Sequence, residues 1–93
     1  MAFKSVFTIQ EIVAFFDNYF KQIEWGSDCL EVMSKNTGHY WLIIHIDRED
    51  VPIMLLHKHE FYQNYHKQCN CETVHSAIRK IKKHDEYVLK FRQ

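Results

Sequence analysis

Eight consecutive residues, His39-Tyr40-Trp41-Leu42-Ile43-Ile44-His45-Ile46, constrain what this chain can fold into more than any other stretch. β-branched and aromatic types dominate the run, and it lacks the polar alternation of a strand with one wet face. The pattern predicts a strand with apolar groups on both sides, in the middle of a sheet rather than at its edge. Every other element has to be arranged so that both sides of this strand are met.

Upstream, Thr8 and Glu11 have the spacing of a capping box, with Phe7 and Ile12 at hydrophobic-staple positions around it. Ile9, Ile12, Val13, Phe16, Phe20 and Ile23 recur at helical spacing, and Gly26 after Trp25 reads as a stop. A first helix over 9–25 is predicted, its apolar stripe widened by Phe15 and Tyr19. Cys29–Ser34 alternates like a strand, and Asn36-Thr37-Gly38 reads as a three-residue hairpin loop with Gly38 in the left-handed conformation. That loop pairs Met33 with Trp41, Val32 with Leu42 and Leu30 with Ile44. A polar turn over 47–50 then pairs Ile46 with Val51.

This register gathers Leu30, Val32, Tyr40, Leu42, Ile44, Ile46, Val51, Ile53 and Leu55 on a core face beneath the first helix. The other face carries Met33, Trp41, Ile43, His45, Met54, Leu56 and Lys58, too apolar for a solvated sheet surface. Either a later segment or a partner covers it. The C-terminal helix is the natural lid, the alternative being that both helices share the core face. The Tyr-rich segment 60–70 fits a fourth strand or an ordered loop. Glu72-Thr73 opens a second helix with Val74, Ala77, Ile78 and Ile81 as its stripe. Beyond His84, Val88 continues a helix, whereas Tyr87, Leu89 and Phe91 alternate like a strand. The fold class is α+β: an N-terminal helix, a three-stranded antiparallel meander with room for a fourth strand, and a C-terminal helix, in one domain over 1–93.

With 46% hydrophobic residues, two glycines and one proline, the 93-residue chain has material for a core and little for a linker. No apolar run reaches membrane-spanning length, and Met1-Ala2-Phe3-Lys4 opens no signal peptide. Three cysteines, an odd number, do not suit a secreted disulfide framework, so a cytoplasmic protein is expected. The net charge of zero is unevenly spread. Residues 1–56 hold four Lys/Arg against eight Asp/Glu, and residues 57–93 reverse that ratio and carry five of the seven histidines. Such asymmetry suits an acidic partner or a polyanion, or attraction between the two halves.

His66, Cys69, Cys71 and His75 form the one metal-like ligand set in the sequence. Two thiolates and two imidazoles suit tetrahedral zinc, but one residue between the cysteines is shorter than the usual two to four and tends to aim them apart. Cys71 near a helix start, with His66 and His75 close in sequence, also has the makings of a reactive thiol. His57 and His59 share one side of a strand beside Tyr40, where two imidazoles chelate a metal, switch with pH, or simply end a strand leaving the core. Arg79, Lys80, Lys82, Lys83, Lys90 and Arg92 make the last helix cationic. They can neutralise phosphates while Tyr62 and Tyr65 stack on bases, or remain a solvated face.

The order helix, three strands, helix resembles that of double-stranded-RNA-binding domains, but Cys71-Glu72-Thr73-Val74-His75 stands where that family has a Gly-rich basic helix start. Glycine-rich phosphate loops, nucleophile elbows and HExxH are lacking in the sequence. In length, in Lys/Ile/Asn/Tyr/Phe usage and in its single compact domain without a catalytic motif, the chain resembles the short accessory proteins of phages and mobile elements, anti-CRISPR inhibitors included. The resemblance implies a non-enzymatic, cofactor-free inhibitor acting through protein–protein interaction. The expected contacts are Trp41, Ile43, Met54 and Leu56 on the apolar face, with Arg79, Lys80, Lys82 and Lys83 for an acidic protein or nucleoprotein. A homodimer closing the second sheet face, nucleic-acid binding through the basic helix, and a zinc or thiol site at Cys69/Cys71 are the alternatives.

Overall fold

The computed structural model describes residues 6–91; Met1 to Lys4, and Arg92 of the cationic set, lie outside the described residues. The order is α1 (Ile9–Val13), β1 (Phe20–Trp25), β2 (Cys29–Ser34), β3 (Tyr40–His45), β4 (Ile53–Lys58), β5 (His66–Cys71) and α2 (Val74–Phe91). The strands form one antiparallel meander in the order β1-β2-β3-β4-β5. The α+β class is as expected, with five strands instead of three or four.

The capping box forms: Thr8 N–H donates to Glu11 Oε1 at 2.8 Å, and Glu11 N–H donates to Thr8 Oγ1 at 3.1 Å. The helix it opens is five residues long, not seventeen. Asp17 and Asn18 are turn formers, and Asp17 Oδ1 accepts from the Tyr19 N–H at 3.0 Å, which turns the chain out of the helix. Aromatics spaced like a helical stripe therefore divide between a coil and a strand. Phe15 and Phe20 enter the core, while Phe16 stacks on Trp25. Gly26 lies in the β1–β2 turn and ends no helix; a Cβ there would sit 2.8 Å from Cys29 Sγ.

The strand register also differs from the expected one. Val32 pairs with Trp41, Leu30 with Ile43, and Ile43 with Leu55, each one residue away from expectation. The β2–β3 loop holds four residues, Lys35 to Gly38, closed by Ser34 N–H donating to His39 C=O at 2.9 Å and Gly38 N–H to Ser34 C=O at 2.8 Å. Gly38 has the expected positive φ, 75°. At the next turn Ile46 N–H donates to Pro52 C=O, so His45 opposes Ile53. Because side chains alternate with a period of two, the slip turns all of β3 over. Leu30, Val32, Ile53 and Leu55 face the core as expected, but their β3 companions are Trp41 and Ile43, both at 0% exposure. Tyr40, Leu42 and Ile44 share the other face with Met33, Met54, Leu56 and Lys58.

Both helices lie on the core face. Thr73 caps α2, its Oγ1 accepting from the Ser76 N–H at 3.0 Å, and Val74, Ala77, Ile78 and Ile81 seal the core. α2 continues as a helix to Phe91, which settles the ambiguity beyond His84. Its Asp85, fully buried, accepts from Tyr19 Oη at 2.6 Å and from Thr37 Oγ1 at 3.0 Å, tying α2 to the approach to β1 and to the β2–β3 loop. Burial and this carboxylate raise the Tyr19 pKa, so the phenol keeps the proton it donates.

Trp41 Nε1–H donates to Ser34 Oγ at 3.0 Å, both groups out of reach of water. Ser34→Ala should cost about 1–3 kcal/mol by stranding the buried indole N–H. The shift in urea midpoint measures it; an unshifted midpoint would show that this bond does not hold β3 in place.

Candidate functional site

Two places emerge, on opposite faces of the sheet. On the open face Leu42, Ile44, Met54 and Leu56 are half-buried, and none joins the core cluster. β3 and β4 both present alternate apolar residues here because each strand is apolar on both sides. Across this face Tyr65 Oη, from just before β5, donates to Glu31 Oε2 of β2 at 2.7 Å, Glu31 being the ladder partner of Leu42, and Lys58 Nζ sits 4.5 Å from the Tyr65 ring centroid and 5.3 Å from that of Tyr40. Burial, then Glu31, raises the Tyr65 pKa and keeps that phenol a donor. Of the expected contact residues, Met54 and Leu56 are on this surface. Trp41 and Ile43 are not: they are core, for the register reason given above.

Arg79, Lys80, Lys82 and Lys83 are all exposed on α2, as expected. Lys82 is engaged from below, 3.8 Å from Asp17 Oδ2 and 4.9 Å from the Tyr19 ring centroid. Glu86 is exposed in the next turn, at i+3 from Lys83 and i+4 from Lys82, so acidic and basic groups share that side of the helix.

The second place is a cluster of imidazoles on the core face. His39 precedes β3, His57 and His59 come from the end of β4, His66 opens β5 and His84 comes from α2. His57 Nε2 and His39 Nδ1 are 3.0 Å apart, one donating and the other accepting. Ring centroids lie 4.5 Å apart for His57–His84 and 4.4 Å for the stacked pair His39–His59. His66 stands edge-on to His57 at 5.3 Å, and the Trp41 indole lies 4.3 Å from His57. His39 and His57 are buried, His84 is half-buried, and His59 and His66 are exposed. His57 thus faces away from Tyr40, not beside it: Tyr40 pairs with Lys58 and shares the opposite face.

Burial, reinforced by His84, His39, His59 and His66, depresses the His57 pKa from 6.5 to about 3. Burial also lowers that of His84, against the pull of Asp85. Both rings are neutral at neutral pH, with lone pairs available to a Lewis acid. Among the described residues, the group of three or more ligating side chains close enough to hold an ion is His39, His57 and His84, whose ligand atoms all lie within 4.8 Å of one another.

The sequence set His66, Cys69, Cys71 and His75 is not brought together in that way. His66 belongs to the imidazole cluster, and His75 is exposed on the first turn of α2. The cysteines do not point apart: two residues apart on a strand they share a face, with sulfurs 3.8 Å from each other. Burial, with Cys69 adding to it, pushes the Cys71 thiol up to about 11, the opposite of what the reactive-thiol alternative requires. All three cysteines are free.

The imidazole cluster was missed because its members are far apart in sequence and meet only in the true register. One step beyond the pair Tyr40↔Lys58, that ladder brings His39 opposite His59, and β5 brings His66 opposite His57. In the expected register, His39 opposes Lys58.

No protein-family model, curated protein or solved structure matches this chain.

The buried neutral imidazoles carry a pH signature. Unfolded, His57 takes up a proton near pH 6.5; folded, it resists until about 3. Protons therefore favour the unfolded chain, and the stability that the neutral ring contributes is fully present above pH 6.5 and is lost as pH falls from there toward 3. Urea unfolding of chelator-treated protein should show a loss already between about pH 7 and about pH 5, above the ordinary carboxylate range. A flat profile there would show that these rings are not held neutral.

Proposed function

We propose that this is a small non-enzymatic binding protein that docks another protein on its open sheet face. The observation that carries this reading is the apolar patch of Leu42, Ile44, Met54 and Leu56 at the centre of a five-stranded sheet, with both helices committed to the opposite side. An apolar centre with polar surroundings is the anatomy of a docking surface. Lys21 and Lys67, which oppose Met33 and Leu56 in the ladders, share this face with Glu31, which opposes Leu42, and with Glu24, which opposes Glu31. That mixed border favours a partner whose own apolar patch is ringed by charges of both signs. An inhibitor of the phage accessory type, as the resemblance in length and composition suggests, would use such a surface to occlude a larger target. In this reading the contact residues are Leu42, Ile44, Met54 and Leu56, with Tyr40 and Lys58 at the border.

A photo-crosslinking amino acid at position 54 should capture one discrete protein adduct in source-cell extract. The same group at Arg79, on the far side of the molecule, should not. Leu42→Asp combined with Met54→Asp should abolish complex formation while circular dichroism and the thermal midpoint stay close to wild type. Adducts equally diffuse at both positions would overturn the reading; an adduct of two copies of this chain would replace the foreign partner with a homodimer.

A further inference from the structure

We propose that His39, His57 and His84 form a binding site for one divalent transition-metal ion of the zinc class. This site is separate from the docking face, on the other side of the sheet. Three imidazoles from three different elements converge, with ligand atoms within 4.8 Å of one another. Around tetrahedral zinc, with Zn–N of about 2.0–2.1 Å, neighbouring nitrogens stand about 3.3 Å apart. His57 Nε2 and His39 Nδ1, at 3.0 Å, need only move apart by a few tenths of an ångström. No separation in the group exceeds 4.8 Å, so the largest adjustment binding asks for is about 1.5 Å. His84 Nδ1 is a second, independent pointer: it is buried and makes no hydrogen bond among the described residues, an arrangement that costs stability unless something occupies it.

The donor set defines the ion. Imidazole nitrogen with no oxygen ligand suits Zn2+, Co2+, Ni2+ or Cu2+ rather than Ca2+ or Mg2+. Three neutral ligands leave the charge of the ion uncompensated, and the buried Asp85 carboxylate adjoins His84 in sequence to offset part of it. Trp41 walls the site on the core side, while the exposed His59 and His66 mark the way in from solvent. Binding requires His57 to move the proton on Nε2, or His39 the one on Nδ1, to the other ring nitrogen, so that both facing nitrogens offer lone pairs. Three protein ligands leave at least one coordination position open, to water or to one of the outer histidines.

Calorimetric titration of the full chain with Zn2+ at neutral pH should find one ion per chain. Zn2+ at about 100 times its Kd should raise the thermal midpoint by about 10 °C or more. Co2+ should give the intense visible absorption of a four- or five-coordinate ion. His84→Gln, which keeps a polar side chain at this half-buried position, should weaken Zn2+ binding by about 100-fold or more with the circular dichroism spectrum unchanged. His75→Gln, outside the cluster, should have no effect. The proposal is overturned if Zn2+ fails to bind stoichiometrically. It is equally overturned if affinity survives His84→Gln and disappears in the His59→Gln/His66→Gln double variant, because the ion would then be chelated by surface histidines.

Discussion

The hydrogen bond from the Trp41 indole to Ser34 Oγ sits where the architecture is decided. β3 is apolar on both sides, so its side-chain pattern alone allows either face to turn inward. The indole is the largest side chain on the strand, and its N–H needs a buried acceptor. Ser34, at the end of β2 and itself fully buried, supplies one only when Val32 lies opposite Trp41. Once Trp41 is inside, Ile43 follows it, and Leu42 and Ile44 are turned outward.

That one choice creates both candidate sites. Outward, Leu42 and Ile44 complete an apolar patch with Met54 and Leu56. Inward, Trp41 forms the wall against which His57 and His84 pack. Asp85 reinforces the arrangement: it ties α2 to Tyr19 and to Thr37 of the loop that sets the register, and so holds its neighbour His84 over the end of β4.

Local signals were legible wherever one interaction determines the conformation. The Thr8–Glu11 box, Gly38 at positive φ, the start of α2 and its buried stripe, and the inward residues of β2 and β4 all follow from residues a few positions apart. The helix expected over 9–25 stops short because Phe15, Phe16 and Phe20 fit a helical period by coincidence, while the stronger local fact, a turn at Asp17-Asn18, outweighs propensity. β5 was ambiguous because His66-Lys67-Gln68-Cys69-Asn70-Cys71 has the polarity of a loop; an edge strand with one wet side, bulged against Leu55 and Leu56, tolerates it. The histidine cluster was beyond reach, since it depends on three long-range pairings, one of which a single-residue slip erases.

The most direct test of β3's direction is the pattern of cross-strand nuclear Overhauser effects between backbone protons of β2, β3 and β4. Contacts joining Val32 with Trp41, Met33 with Tyr40 and Ile43 with Leu55 are the expected result. Contacts joining Val32 with Leu42 and Ile44 with Ile53 would put Trp41 on the open face, and would contradict both the docking surface and the imidazole site at once.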